Sequence, residues 1–325
     1  MAGDRAEALA PATSRDGDGE SRGLDVQWIR DQIVRHGLFV WFAANSIVGI
    51  AYAARDTTLL YFDARLYIMA TQTWLAGGDP WQVQLAGNYF AAPPPSLLPL
   101  VPVALLPLDL GVAVIATLVI VAAVATVRML RLPWWWLLFP PLVQCVLSAN
   151  VQGLLIPLIL LRAGAIASFL KIYAVVPVVV TGRWRAALLT AALLVVTIPL
   201  LPWGTYIAEF ALINSHLTEQ TKYALPTLFL VLISPVALLA MAVVGRERAA
   251  WLAVPAIWPS QQYYYGTLAM GARSDLAAAI VSIPIPGSGL VALFILAAAT
   301  WRREGSARWR ETANGLRRRI GPSAR

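Results

Sequence analysis

Cysteine, histidine, lysine and charge are all scarce in this chain. Cys145 is the sole cysteine, which excludes an intrachain disulfide and a cysteine-based metal cluster. His36 and His216 are the two histidines. They stand far apart in sequence without helical metal-ligand spacing, so a histidine metal site is not expected. No glycine-rich phosphate loop of the Walker or dinucleotide type occurs, which disfavours an ATP-driven pump. Charged residues make up 13% of the 325 positions and hydrophobic residues 59%, whereas an ordinary soluble domain carries roughly 25% charged residues. A soluble core cannot absorb that much apolar side chain, because a compact domain still has a large surface to keep wet. With a mean hydropathy of +0.67, the composition excludes a soluble enzyme and makes lipid the main solvent.

What charge there is has an informative placement. The formal net charge is +8. Lys171 and Lys222 are the only lysines, and the other basic residues are arginines. The arginines fall in short clusters between apolar runs and in the tail, as expected of cytoplasmic loops rather than of a nucleic-acid interface. Residues 1–36 are polar and read as a solvated cytoplasmic arm. Residues 37–300 read as an integral membrane domain and 301–325 as a basic cytoplasmic tail. No signal peptide is visible, since the first apolar run begins near Leu38 and leads into a long polar-aromatic loop.

The first span is expected over 38–54, with Arg30 and Arg35 marking the inside. Residues 55–96 then form an external loop. The chain returns over 97–127 as a broken or interfacial helix containing Pro102, Pro107 and Asp109, with Arg128 and Arg131 inside. Further apolar runs cover 133–147, 154–161, 163–181, 186–202, 225–244, 249–258 and 263–270, with two short runs around Ile280 and Leu293. Residues 203–223 read as a second external loop. Several runs fall short of the roughly 20 residues that a straight span needs. The expected architecture is therefore an all-α, polytopic transmembrane helical bundle of about 10–12 segments, some of them half-helices. Both termini would be cytoplasmic. No internal repeat is apparent, which weakens an inverted-repeat transporter reading.

The first external loop carries the most chemistry. Between Ala64 and Ala76 nothing breaks a helix, and Gly77, Gly78 and Pro80 stop it. Asp63, Tyr67, Ala70 and Trp74 would share one side of an interfacial helix near the outer surface. Asp63 starts that helix, so two compatible readings stand: an N-cap accepting free amide hydrogens, or a rigidly held reactive carboxylate. Asp79, in Gly-Gly-Asp-Pro-Trp, reads as a turn residue. The runs Trp134–Trp136 and Tyr263–Tyr265 read as interface belts, and Cys145 as an inert core residue.

The pattern Asp63-x-x-x-Tyr67-x-x-Ala70, followed by Leu75-x-Gly77-x-Asp79-Pro80-Trp81, resembles the first-loop signature of glycosyltransferase family 87. These are GT-C-fold membrane enzymes that include polyprenyl-phosphate-mannose-dependent mannosyltransferases. The resemblance continues in order through Tyr89 to Pro107, through Gln152-Gly153, through Leu170-Lys171-Ile172-Tyr173, and through Gly182-Arg183-Trp184-Arg185. It covers roughly residues 63–185. The chain departs from the family pattern in three places. Ala174 stands where proline is usual, Gly153 follows Gln152 instead of preceding it, and the stretch 258–266 lacks the late-loop histidine. Gln261, Gln262 and Tyr263 stand where that histidine would act.

The resemblance implies inverting transfer of a sugar, mannose in much of the family, from a polyprenyl-phosphate donor to a lipid or glycan acceptor on the outer face of the plasma membrane. No cofactor and no metal are implied. Asp63 would be the general base. The donor phosphate would need a cation, and Lys171 is the first choice, because a lysine inside an apolar run is costly unless paired or functional. The competing reading has Lys171 snorkelling to the interface or pairing with a buried carboxylate. Arg65 is a second choice, with Lys222 and Arg273 behind it. Tyr67, Gln152, His216, Gln262 and Tyr263 are the expected substrate-binding residues, His216 in the second external loop among Asn214, Ser215 and Glu219. That loop reads equally as merely solvated. Membrane lipids are the remaining expected partners, with the arginine tail touching anionic headgroups. Two rivals remain: a secondary transporter or lipid flippase, and a catalytically degenerate family member acting as a binding or scaffold protein.

Overall fold

Long apolar runs form the long helices; those over Val26–Arg55 and Leu108–Met129 are free of internal proline, and the helix over Thr227–Val244 carries Pro235 within it. The computed structural model describes residues 26–220, 225–260 and 262–319. Lys222, Gln261 and most of the polar arm lie outside the described residues. In chain order the helices are α1 (Val26–Arg55), α2 (Phe62–Leu75), α3 (Val101–Ala104), α4 (Leu108–Met129), α5 (Pro140–Ser148), α6 (Leu155–Leu160), α7 (Gly164–Leu170) and α8 (Val175–Val180). They continue with α9 (Trp184–Thr197), α10 (Trp203–Ala208), α11 (Phe210–Gln220), α12 (Thr227–Val244), α13 (Arg246–Ile257), α14 (Asp275–Val281) and α15 (Ser288–Arg319). A two-residue hairpin, β1 (Gln84–Leu85) and β2 (Asn88–Tyr89), pairs antiparallel in the register Gln84 to Tyr89 and Leu85 to Asn88. Residues 38–325 form one unit and residues 26–37 open α1.

Among the described residues three helices are long and apolar enough to cross a membrane: residues 34–55 of α1, all of α4 and all of α12. The 22 residues of α4 rise about 33 Å, matching a hydrocarbon core of about 30 Å. A fourth crossing exists if Pro140–Ser148 and Val151–Leu160, bent by 119°, count as one broken span. The other apolar runs form shorter helices, and proline punctuation is the physical cause. Pro94, Pro95 and Pro99 hold Pro94–Leu100 in a 3-10 helix, since each proline removes a backbone donor. The run 163–181 is also interrupted. Lys171 adopts extended backbone between α7 and a 3-10 turn over Ile172–Ala174.

The loop after α1 is tied down throughout. Tyr61, in left-handed backbone at φ 58°, precedes α2, and its N–H donates to the Leu147 carbonyl at 2.8 Å. That bond fastens the start of α2 to the end of α5. Gly77, at φ 82°, ends the region around α2 as expected. Asp79 caps the 3-10 turn Pro80–Gln82 by accepting from the Trp81 N–H at 2.9 Å. Trp81 is buried, and its indole N–H donates to the Ala92 carbonyl at 3.0 Å.

Several expectations are refined here. Asp63 is not the N-cap; it lies in the first turn of α2, one residue inside, and its carboxylate is directed to another element. The buried face of that helix is broad, and Phe62, Arg65, Met69, Gln72 and Thr73 form its partly exposed side. Ala64, Leu66, Tyr67, Ile68, Ala70 and Thr71 are all buried, because α3, α4 and the proline-rich 3-10 helix pack around it. Residues 203–220 are helical, α10 and α11, so His216 is a helical residue. The tryptophan run also divides: Trp134 is exposed, while Trp136 is fully buried against Phe42 and Phe139.

At the other end of the chain, α15 begins at Ser288 against α12, α13 and α14. It continues without interruption past Trp301 to Arg319, so the expected basic tail is largely an extension of the last helix.

Candidate active site

Three apolar segments depart from α-helical form near one another, and each supplies polar side chains to a common cluster. The first is the break between α5 and α6. Ala149, in left-handed backbone at φ 51°, ends α5, and the Asn150 N–H returns to the Cys145 carbonyl at 2.8 Å. Asn150 then caps the 3-10 turn Val151–Leu154, its Oδ1 accepting the Gln152 backbone N–H at 2.8 Å. Gly153 lets this turn lie against α4, since a Cβ there would stand 3.0 Å from the Val119 side chain. The second departure is at Lys171, between α7 and α8. The third is the 3-10 helix Tyr263–Ala272, which contributes Tyr264, Tyr265 and Thr267.

A continuous hydrogen-bonded chain joins these segments. Asp63 Oδ2 accepts from Asn150 Nδ2 at 2.9 Å. Gln152, buried, donates through Nε2 to Thr267 Oγ1 at 3.0 Å and accepts at Oε1 from the Tyr173 hydroxyl at 2.5 Å. Thr267 donates onward to the Tyr264 carbonyl at 2.8 Å. Every polar atom of the Gln152 carboxamide that is bonded here is bonded to another protein group, as a buried amide requires. The Ser148 hydroxyl donates to the Gln144 carbonyl at 3.1 Å and is also within reach of the Asp63 carboxylate.

The charges of the cluster are not paired with each other. Asp63 is half-buried. Burial pushes its carboxyl above the usual carboxylate range, while Ser148, the Lys171 ammonium and Asn150 pull it back in that order. Lys171 is 9% exposed. Its Nζ lies 5.0 Å from the Tyr67 ring centroid and 5.6 Å from that of Tyr264. Among the described residues no carboxylate comes within 4.0 Å of it, and the single ion pair is between Arg65 and Asp109 at 3.5 Å. The ammonium is therefore held by aromatic faces rather than by an anion. Tyr67 is buried, edge-on to Phe90 with centroids 5.2 Å apart. Burial, and then the charge of Asp63, raise its phenol further, so it remains a neutral donor.

The expected site residues divide accordingly. Asp63, Tyr67, Gln152 and Lys171 come together. Arg65 does not join them: it is two positions from Asp63 on a helix, so the two side chains diverge, and it reaches the exposed Asp109 instead. His216 stacks on Tyr89 at 3.8 Å and 12°, on the outside of the hairpin. Gln262 and Tyr263 line a separate cavity of about 20 Å³ with Pro255, Ser288 and Gly289, room for a single water. The Tyr263 hydroxyl donates to the Ser282 carbonyl at 2.6 Å. Arg273 sits in left-handed backbone at the end of the 3-10 helix. Asn150, Thr267, Tyr173 and Tyr264 complete the cluster without having been singled out as binding residues. The available signal was Ser148, Asn150 and Gln152 alternating inside an apolar run, since polar residues at such depth mark functional sites.

Fold and site thus define a helical, membrane-associated protein with a carboxylate and an unpaired ammonium at the junction of broken helices. The chain matches no protein-family model, no curated protein and no solved structure.

Proposed function

We propose that this protein is a GT-C-like membrane glycosyltransferase, which moves a sugar, mannose as first choice, from a polyprenyl phosphate to a lipid or glycan acceptor on the outer face of the plasma membrane. The observation that carries this reading is the shared cluster of a half-buried Asp63 carboxylate and a Lys171 ammonium with no anionic partner among the described residues. A group transfer from a lipid phosphate needs both. The acceptor oxygen attacks the anomeric carbon and its proton passes to Asp63. The bond between that carbon and the phosphate oxygen breaks, and the released polyprenyl phosphate keeps the electron pair. General-base help of this kind is worth roughly 10²–10⁴-fold. Lys171 meets the charge that grows on the leaving phosphate, the kind of stabilisation that acts where charge develops. Tyr67 and Tyr264 hold the ammonium without neutralising it, and Tyr67 can donate to the phosphate or to a sugar hydroxyl. α2 lies outside the membrane-spanning helices, which suits a site reached from the lipid surface.

The test is turnover of a radiolabelled short-chain polyprenyl-phosphate mannose by the detergent-purified chain and by Asp63→Asn. Loss of product by at least 10²-fold without any loss of thermal stability is expected. A variant that turns over like the native chain removes Asp63 from the chemistry.

One observation favours a second reading. The breaks at Ala149–Asn150 and at Lys171 place polar residues between half-helices, the construction used by secondary transporters and flippases at their binding sites. Movement of solute or lipid in proteoliposomes, without any glycosidic product, would select it.

A further inference from the structure

The strongest unassigned feature is the side chain that touches Asp63. Asn150 is fully buried, and its two amide atoms are both committed. The backbone N–H of Gln152 needs an oxygen, so Oδ1 must face it and Nδ2 must face Asp63; the reverse orientation would set two donors against each other. The bonds at 2.8 and 2.9 Å fix the amide in that orientation. Its surroundings allow little drift. Gln152 is locked from both sides by Tyr173 and Thr267, and the Tyr61 to Leu147 bond fastens α2 to the same turn. Of the two carboxylate oxygens, Oδ2 is occupied by Asn150; the other donor in reach of the group, the Ser148 hydroxyl, already gives its hydrogen to the Gln144 carbonyl.

We infer that Asn150 is a positioning residue: it clamps the Asp63 carboxylate by Oδ2 and leaves Oδ1 as the oxygen that meets the reacting hydroxyl. The inference rests on the reading of Asp63 as a base, and the experiment separates the two. The groups facing Asp63 are Lys171 from the α7–α8 break, Ser148 and Cys145 from α5, Tyr67 on α2 itself, and Tyr264 from the 3-10 helix. Lys171 is the only cation among them. Asn150 adds the one carboxamide donor, and a hydrogen bond to the charged form favours that form.

The first variant is Asn150→Asp. Aspartate is as good a cap as asparagine, so Oδ1 still serves the Gln152 N–H, but the donor to Asp63 is replaced by a second carboxyl. A second carboxyl also raises the Asp63 midpoint by repulsion, so the deciding variant carries a neutral cap. That variant is Asn150→Ser: it also caps, and its hydroxyl is too short to span to Asp63. The full chain, in detergent, is treated with a carbodiimide and an amine across pH 4–9, and modification of the peptide carrying Asp63 is followed by mass spectrometry. Only a protonated carboxyl reacts, so the profile reports ionisation of Asp63 without any reference to sugar transfer.

The pH midpoint for Asp63 is expected to rise by about one unit or more in both variants, since a bond to a charged group has been removed. Transfer from the labelled polyprenyl-phosphate mannose at pH 7 is expected to fall at least tenfold and to be partly regained at higher pH. An unmoved midpoint in Asn150→Ser, with native thermal unfolding, overturns the clamp. A moved midpoint in a chain whose native form shows no transfer supports the clamp and overturns the glycosyltransferase reading instead.

Discussion

Replacing Lys171 with methionine tests whether its ammonium holds the fold together or waits for an anion. The two roles predict different energies. Breaking a tightly bonded buried ion pair costs about 3–5 kcal/mol, because the partner is left charged and alone. Lys171 is in no such pair: its Nζ is more than 4 Å from every described carboxylate and rests 5.0 and 5.6 Å from two tyrosine rings. Each ring contact returns about 0.5–2 kcal/mol. Attraction to a carboxylate beyond 4 Å stays below about 4 kcal/mol at an effective dielectric constant of 20. Against these gains stands a desolvation penalty of several kcal/mol for one ammonium. The opposing contributions are of similar size, a few kcal/mol each way. Methionine keeps the length of the side chain, and once the cation has gone Asp63 can take up a proton. Lys171→Met should therefore shift the unfolding temperature by no more than about 2–4 °C, followed through the fluorescence of the thirteen tryptophans. Its affinity for a soluble polyprenyl-phosphate analogue should fall at least about tenfold, the worth of one charge-assisted hydrogen bond. A drop of about 10 °C in the unfolding temperature would refute the reasoning and make Lys171 a structural ion.

Asp63→Asn should stabilise the protein at neutral pH. The folded carboxyl titrates above its unfolded value, so its contribution is fully present below about pH 4 and is lost as the pH rises through the folded pKa; the gain over the native chain, measured by thermal unfolding, should vanish in acid. Tyr173→Phe should cost about 1–3 kcal/mol, because Gln152 Oε1 loses its donor in a buried site. Combined with Gln152→Leu it should cost less than the sum, and strict additivity in denaturant titrations would sink the shared-network account. Gly271→Ala should destabilise by about 1–3 kcal/mol through overpacking, since the new methyl would fall 2.2 Å from the buried Trp251 ring; a thermal shift assay reads this directly.

Much of the architecture was legible in the sequence because punctuation is local. Gly77, Gly78 and Pro80 end α2 where expected, Asp79 orders its turn, and the prolines at 94–107 break the returning helix. The association of Asp63, Tyr67, Gln152 and Lys171 was also within reach, since a carboxylate and a lysine beside apolar runs are conspicuous. What could not be read was direction. Whether Asp63 caps its own helix or reaches another depends on Tyr61 turning left-handed and bonding to Leu147, a contact 86 residues away in sequence. The interruption at Lys171 was hidden for a similar reason. Leu-Lys-Ile-Tyr itself permits a continuous helix; Pro177 denies a donor to the Tyr173 carbonyl, and the Tyr173 to Gln152 bond and the aromatic seat of the ammonium help repay the lost backbone bonds. The second outer loop misled because its polar residues are dense. Yet Phe210, Ile213 and Leu217 recur at helical spacing, and α11 forms with Ile213 buried.

The uninterrupted course of α15 has a practical side. The 19 residues from Trp301 to Arg319 add about 28 Å of continuous helix to α15. A protein of 35.2 kDa is a small target for electron cryomicroscopy once it is enclosed in a micelle. Splicing a rigid helical partner in phase onto the end of this helix would give image alignment a landmark, without touching any residue around Asp63.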